Sequence, residues 1–273
     1  MSDKNSIDNK VLSFYEELPF NIYEDEKKSI QNIKNFNLKK TYPFLHDVIL
    51  NSNSIIDIGC GGGWLTNVIS YHYKKTVTGI DFNPVAIEFA KKISKKLKND
   101  NNYLIQNIFD LSFDKKFDLI LSMGALHHTR DCLRAIDIAC KIGSNKSSIY
   151  IGLYHKFGRK PFLQKFDLIE GYENKLNFYK KLHPLRDEKH QISWFRDQVL
   201  HPHETQHTLK EVIDIYKKNN YSFIGTTINN FESNLDINYL YEKEKEMFEI
   251  GIKKLETNTY YPGFFIVGGK KFE

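Results

Sequence analysis

SIIDIGCGGGWLT, residues 54–66, decides the architecture. A β-branched apolar run leads to an acid, Asp57; four glycines follow within five positions (Gly59, Gly61, Gly62, Gly63), and a helical pattern opens at Trp64. Isoleucines in an uninterrupted run suit a strand covered on both faces. Glycines let the backbone approach a ligand closely, and a helix N-terminus offers N–H donors and positive potential. An acid placed just before such a turn argues for a ligand cradle rather than a merely tight bend. A pyrophosphate is disfavoured as the ligand, because a dinucleotide turn needs a third glycine where this chain has Trp64, and no Gly-Lys-Ser/Thr follows for a P-loop.

Downstream, apolar runs alternate with helical patterns. A second strand is expected at 76–80, and Pro84 opens a helix to about residue 97. Further strands are expected at 103–106, 117–122 and 148–153, with a helix at 132–141 between the last two. This rhythm is that of βα units around a parallel sheet. Residues 155–207 break it, with many aromatics, six histidines and no clear strand. A helix at 208–219, a strand at 221–227, a charged amphipathic helix at 238–257 and a strand at 263–268 follow, the two strands suiting an antiparallel edge. The first 50 residues carry apolar positions at helical spacing around the loop LPFNIYED (18–25). The expected organisation is one domain with appendages: 1–50 an N-terminal helical lid, 51–154 the α/β core, 155–207 a histidine- and aromatic-rich cap, and 208–273 completion of the core with a helical insertion.

Composition narrows the function classes. The chain has 273 residues, 41% hydrophobic and 27% charged, enough for a well-filled core. No stretch approaches the ~20 apolar residues of a membrane span, and MSDKNSIDNK lacks the apolar run of a secretory leader, so a cytoplasmic protein is expected. Cys60, Cys132 and Cys140 show no C-x-x-C spacing, which disfavours a disulfide framework or a thiolate zinc site. The net charge is +5, but only five of the 39 basic residues are arginine, and the densest lysine run (Lys91, Lys92, Lys95, Lys96, Lys98) has the spacing of one solvated helix face. Nucleic acid is therefore disfavoured as a partner; homo-oligomerisation stays open.

DIGCGGG, Asp81 within VTGIDFNP, QNIFDLSF and FDLILSMGALHHTRD stand in the order and spacing of the class I S-adenosylmethionine-dependent methyltransferases, which residues 50–155 resemble. The resemblance implies a Rossmann-like, seven-stranded, mostly parallel α/β sheet with an antiparallel C-terminal edge, and S-adenosyl-L-methionine as cofactor with S-adenosyl-L-homocysteine as product. It places Gly59, Cys60, Gly61 and Gly62 beneath the methionyl and ribose moieties, Asp57 near the ammonium, and Ser122 in the same pocket. Asp81 would accept from the ribose hydroxyls, and Phe82 and Ile108 would sandwich the adenine. Asn107 stands where the family often has an Asp accepting from the adenine amino group. The physical reading agrees: this cofactor carries an ammonium and a sulfonium but no phosphate, so an acid at the strand end attracts it. Where base methyltransferases carry Asn/Asp-Pro-Pro-aromatic, this chain has SMGALHH, and IGSNKSS (142–148) is expected to be a loop.

Five of the ten histidines, His183, His190, His201, His203 and His207, fall within 25 residues. HETQH (203–207) matches the zinc pattern H-E-x-x-H, which needs a helix and a third ligand; Pro202 stands just before it and a strand, SFIGTTI, lies where that ligand should be. The cluster is therefore expected to serve acid–base or orienting roles, without a metal. LPFN, LYHKFGRKPF and SWFRDQVLHPHETQHT also look like a subgroup of bacterial methyltransferases. In that fold the N-terminal segment and the one after the fifth strand close over the methyl group, which implies Tyr15, Asn21, Tyr23 and His155 near the substrate and His128, His203 or His207 as the base. The expected reaction is methyl transfer to a small polar metabolite or sugar-like acceptor, at oxygen. The alternatives are N-methylation, a tRNA or protein acceptor, a non-catalytic nucleoside-binding module, and a metal-dependent hydrolase built on HETQH.

Overall fold

A computed structural model describes residues 2–232 and 236–272. Seven strands form one sheet: β1 (Ile55–Ile58), β2 (Val77–Asp81), β3 (Asn102–Ile105), β4 (Phe117–Met123), β5 (Gly143–Tyr154), β6 (Tyr221–Thr226) and β7 (Phe264–Lys271), in the order β3-β2-β1-β4-β5-β7-β6. All neighbours pair in parallel except β7, which runs antiparallel to both β5 and β6. Every residue of β1 is buried, and alternate side chains feed two layers. Ile56 and Ile58 join the core beneath the Cys132–Lys141 and Leu209–Lys218 helices, while Ile55 joins the opposite core beneath Pro43–Asn51 and Trp64–Tyr73. This is why the strand reads as continuously apolar. The strand order reverses direction at β1/β4, the point where open α/β sheets form their ligand crevice.

The polar IGSNKSS stretch is not a loop, as expected from its composition, but mostly strand. β5 begins at Gly143, paired with Phe117, and the register shifts so that Leu119 meets Ser148. Its hydroxyls find partners across the sheet, Ser147 Oγ lying 2.6 Å from the Tyr221 hydroxyl. The helix expected at 238–257 is broken into Ile237–Lys243, a 3₁₀ turn at Glu244–Glu246, and Met247–Glu256. The cause is Glu244, which is buried and accepts from Leu209 N (2.7 Å) and the His155 imidazole (2.9 Å).

Residues 155–207 form three helices, Lys156–Asp167, Tyr172–Leu182 and Glu188–Val199, around a small core of Phe162, Phe166, Leu176, Tyr179, Leu182 and Phe195. The N-terminal 50 residues fold into helices at Ser2–Glu17, Glu26–Asn35, Leu38–Thr41 and Pro43–Asn51. Among the described residues no helix is long and apolar enough to cross a membrane.

Candidate active site

A cavity of about 580 Å³ opens beyond the ends of β1, β2 and β4, roofed by the Ser2–Glu17 helix and walled by the Glu188–Val199 helix. Its first half is built by the glycine turn. Gly59 N and Cys60 N donate to the Ile80 carbonyl (2.8 and 3.0 Å), tying the turn to β2. Gly59 (φ +68°) lies so close to Ala125 that a Cβ would fall 2.2 Å from the alanine's own, whereas a Cβ on Gly61 (φ +51°) would meet nothing within 4 Å and would project into space left for a ligand. Asp81, at the end of β2, is held by Gly61 N (2.8 Å) and Asn83 N (2.9 Å), one to each carboxylate oxygen. Among the described residues the Thr66 hydroxyl is the one side-chain donor to Asp57, at 2.7 Å. Burial, together with repulsion from Asp81, raises its carboxyl to about 6. Burial also raises the Asp81 carboxyl and the Cys60 thiol. Phe82, Asn107 and Ile108 line the same end of the cavity. Ser122 does not line it: its hydroxyl donates to the Ile58 carbonyl (2.9 Å) and braces β1 against β4.

The second half is aromatic. Tyr15, Asn21 and Tyr23 line it, joined by Phe20, Trp194, Tyr154, Tyr260 and Phe264. Asn21 Oδ1 lies 2.7 Å from His190 Nε2 and 3.1 Å from Trp194 Nε1, and Tyr23 stacks on His190 at 4.0 Å. Asp197, which the sequence does not single out, lines it too: buried, with its carboxyl raised by that burial, it accepts the Tyr15 hydroxyl at 2.5 Å and lies 3.7 Å from His128 Nε2. The His128 Nδ1 sits 3.1 Å from the His203 carbonyl oxygen. A carbonyl can only accept, so Nδ1 carries the hydrogen and Nε2, which has no hydrogen-bond partner, keeps its lone pair. Burial holds His128 below the ordinary imidazole range. His127 beside it lines the cavity with both ring nitrogens unpartnered, and burial holds it lower still. Gln198 Oε1 accepts the hydroxyls of Tyr179 (2.9 Å) and Tyr260 (2.7 Å). Among the described residues no lysine or arginine lines the cavity.

His155, His203 and His207 do not reach this cavity. His155 is fully buried and caps the Lys156–Asp167 helix, its Nδ1 accepting from Phe157 N and Gly158 N at 3.3 Å each, which leaves Nε2–H to donate to Glu244. His207 bridges to His155 through the backbone, and its Nε2 pairs with the Thr205 hydroxyl at 2.8 Å. His203 Nε2 lies 3.1 Å from the Thr129 carbonyl oxygen, so it donates there; its contribution to the site is its own carbonyl, which orients His128. HETQH is not helical, so its imidazoles share no helix face, and Glu204 is bound bidentately by the buried Arg159 (3.0 and 2.7 Å). Among the described residues no group of three or more His, Cys, Asp or Glu side chains is arranged to hold a metal.

Asp197 and Gln198 stand in SWFRDQ, and a signal existed for them: an acid and an amide at one turn of a helix otherwise presenting Trp194 and Phe195. Periodicity could not place them, because the cap's helices contact the sheet only through tertiary packing.

Residues 50–248 match the family model described as a methyltransferase domain. The ubiquinone biosynthesis O-methyltransferase of Coxiella burnetii is 34% identical over 90 residues, which is 33% of this chain and 38% of that protein. Its counterpart from Pelagibacter ubique is 32% identical over 124 residues, 45% of this chain and 49% of that protein. The match thus spans less than half the length of these curated relatives. Among solved structures, the plantazolicin methyltransferase BpumL in complex with S-adenosylhomocysteine superposes with a TM-score of 0.53 at 19% identity, covering 100% of this chain and 98% of that one. PKMT2 from Rickettsia typhi gives 0.61 at 19% identity, covering 86% of this chain and 54% of the other. At such identities these structures share the fold with this chain.

Proposed function

Because the chain belongs to the methyltransferase-domain family, we propose that it takes the methyl group of S-adenosyl-L-methionine to a hydroxyl of a small, polar, uncharged acceptor and releases S-adenosyl-L-homocysteine. The residues present fit the cofactor: Asp57 faces the cavity as a carboxylate lacking a cation, Asp81 is anchored by backbone N–H groups, and the open side of Gly61 leaves room that no protein atom fills. Asp57 would hold the ammonium, Asp81 the ribose hydroxyls, and Phe82 and Ile108 the adenine faces. When bound, the cofactor supplies an electrophilic methyl on a sulfonium.

The observation that carries the reading is the bare Nε2 of His128 beside Asp197, in the cavity that holds Asp57 and Asp81. A neutral imidazole with its other nitrogen tied to a carbonyl can take a proton only at Nε2. The imidazolium formed there lies 3.7 Å from the Asp197 carboxylate, which stabilises it. His128 is thus the base and Asp197 its counter-charge, while Tyr15 fixes the carboxylate. Transfer to oxygen is supported by the names of the curated relatives, which are O-methyltransferases. Among the described residues no lysine or arginine lines the cavity, and this favours an uncharged acceptor over a phosphorylated or carboxylated one, which would need a counter-charge. This narrows the polar or sugar-like class expected from the sequence to its uncharged members.

Labelled methyl from S-adenosylmethionine, traced by mass spectrometry into the small-molecule fraction of a cell extract, names the acceptor. With that acceptor, His128→Gln should lower kcat about 100-fold or more while S-adenosylhomocysteine affinity changes less than about twofold. Unchanged turnover would remove His128 from the chemistry.

A further inference from the structure

We propose that Asp8, on the Ser2–Glu17 helix, recognises the 6-amino group of the cofactor's adenine, so that the N-terminal helix reads the base. This rests on the S-adenosylmethionine reading above. Asn107, at the adenine end of the cavity, has both ends of its amide engaged: Oδ1 accepts Phe109 N (3.1 Å) and Nδ2 donates to Asp8 Oδ2 (3.0 Å). The same Asp8 oxygen takes the Arg130 guanidinium in a close ion pair. Arg130 is itself held, lying 3.9 Å over the Phe109 ring. One carboxylate oxygen is therefore clamped from two directions, by the loop after β3 and the loop after β4. The other, Oδ1, has no hydrogen bond to the described residues, and Asp8 lines the cavity with Phe82, Asn107, Ile108 and Phe109.

A fixed acceptor at that position calls for a donor. The 6-amino group of adenine is one; the 6-oxo group of hypoxanthine is an acceptor and would face the carboxylate unfavourably. Asp8, Val11 and Tyr15 all line the cavity and follow one another at i, i+3 and i+7 on one face of the same helix. One helix face therefore carries both Asp8 at the adenine end and Tyr15, whose hydroxyl is bonded to Asp197 at the other, so the two halves of the cavity share this helix as a wall.

The test is calorimetric titration of the full chain with S-adenosylhomocysteine and with S-inosylhomocysteine, which differs at the 6-position. The unaltered protein should prefer the adenosyl compound by at least about 10-fold. Asp8→Asn, whose side chain can present either a donor or an acceptor, should shrink that preference below about 3-fold. A preference that survives in Asp8→Asn overturns the proposal. So does equal binding of the two compounds by the unaltered chain, which keeps the test decisive should the variant not fold. Failure of the unaltered chain to bind either compound would instead overturn the cofactor reading beneath it.

Discussion

Asp57→Asn should stabilise the ligand-free protein while weakening its hold on the cofactor. The Asp57 carboxyl is buried, repelled by Asp81 and compensated by little beyond the Thr66 hydroxyl, so that it titrates at about 6 in the folded chain against an ordinary 3.8. That displacement corresponds to about 3 kcal/mol against the ionised form. The sign follows directly. Between the two values the folded state binds more protons than the unfolded one, so wild-type stability falls as pH rises from about 4 through about 6 and is flat above. The asparagine lacks this slope. Its oxygen still accepts from Thr66, and its NH₂ forfeits about 1 kcal/mol if it finds only cavity water. The net gain at pH 8 is therefore about 1 to 2 kcal/mol, or roughly 2 to 4 °C in Tm for a chain of this size, and it should vanish near pH 4. S-adenosylhomocysteine affinity should drop about 10-fold or more, through loss of the charge facing the ammonium. Scanning calorimetry at pH 4, 6 and 8 reads the first effect and titration the second. A folded variant with a Tm at pH 8 at or below that of the wild type would refute the reasoning that Asp57 is held at a cost for binding.

Two further substitutions probe the histidine-rich segment. His155→Ala removes a helix cap and leaves Glu244 with Leu209 N alone, so denaturant unfolding should show a loss of about 2 to 4 kcal/mol with cofactor affinity within twofold; a large affinity loss at intact stability would return His155 to the site. Arg159→Met strands the Glu204 carboxylate and should cost about 3 to 5 kcal/mol, part of it recovered when Glu204→Gln is added; no recovery would mean that Arg159 stabilises through its bonds to the Gln198 and Pro262 carbonyls and its packing on Tyr154, 3.8 Å away, rather than through the pair.

The cofactor half was legible because its signals are local. Asp57, the glycine turn and Asp81 occupy strand ends whose apolar runs reveal them, and a parallel strand followed by a turn and a helix leaves little freedom in where those groups point. Asn107 was legible as a position but not as a partner of Asp8, since 99 residues separate them. The histidines mark the other limit. Density and spacing drew attention to His203 and His207, yet imidazole is equally a cap, a buried donor and a base, and only its partners distinguish the roles. Once Glu244 takes His155, Thr205 takes His207 and the Thr129 carbonyl takes His203, His127 and His128 still face the cavity; the proposed base, His128, is set apart by a bare nitrogen that depends on a carbonyl 75 residues away and by Asp197, which comes from a helix with no periodic tie to the sheet. Most of the strands and the glycine cradle thus follow from the residues in sequence, whereas the strand order and the candidate for the base come only from tertiary packing, because which nitrogen keeps a lone pair is settled only when every other donor and acceptor has found its partner.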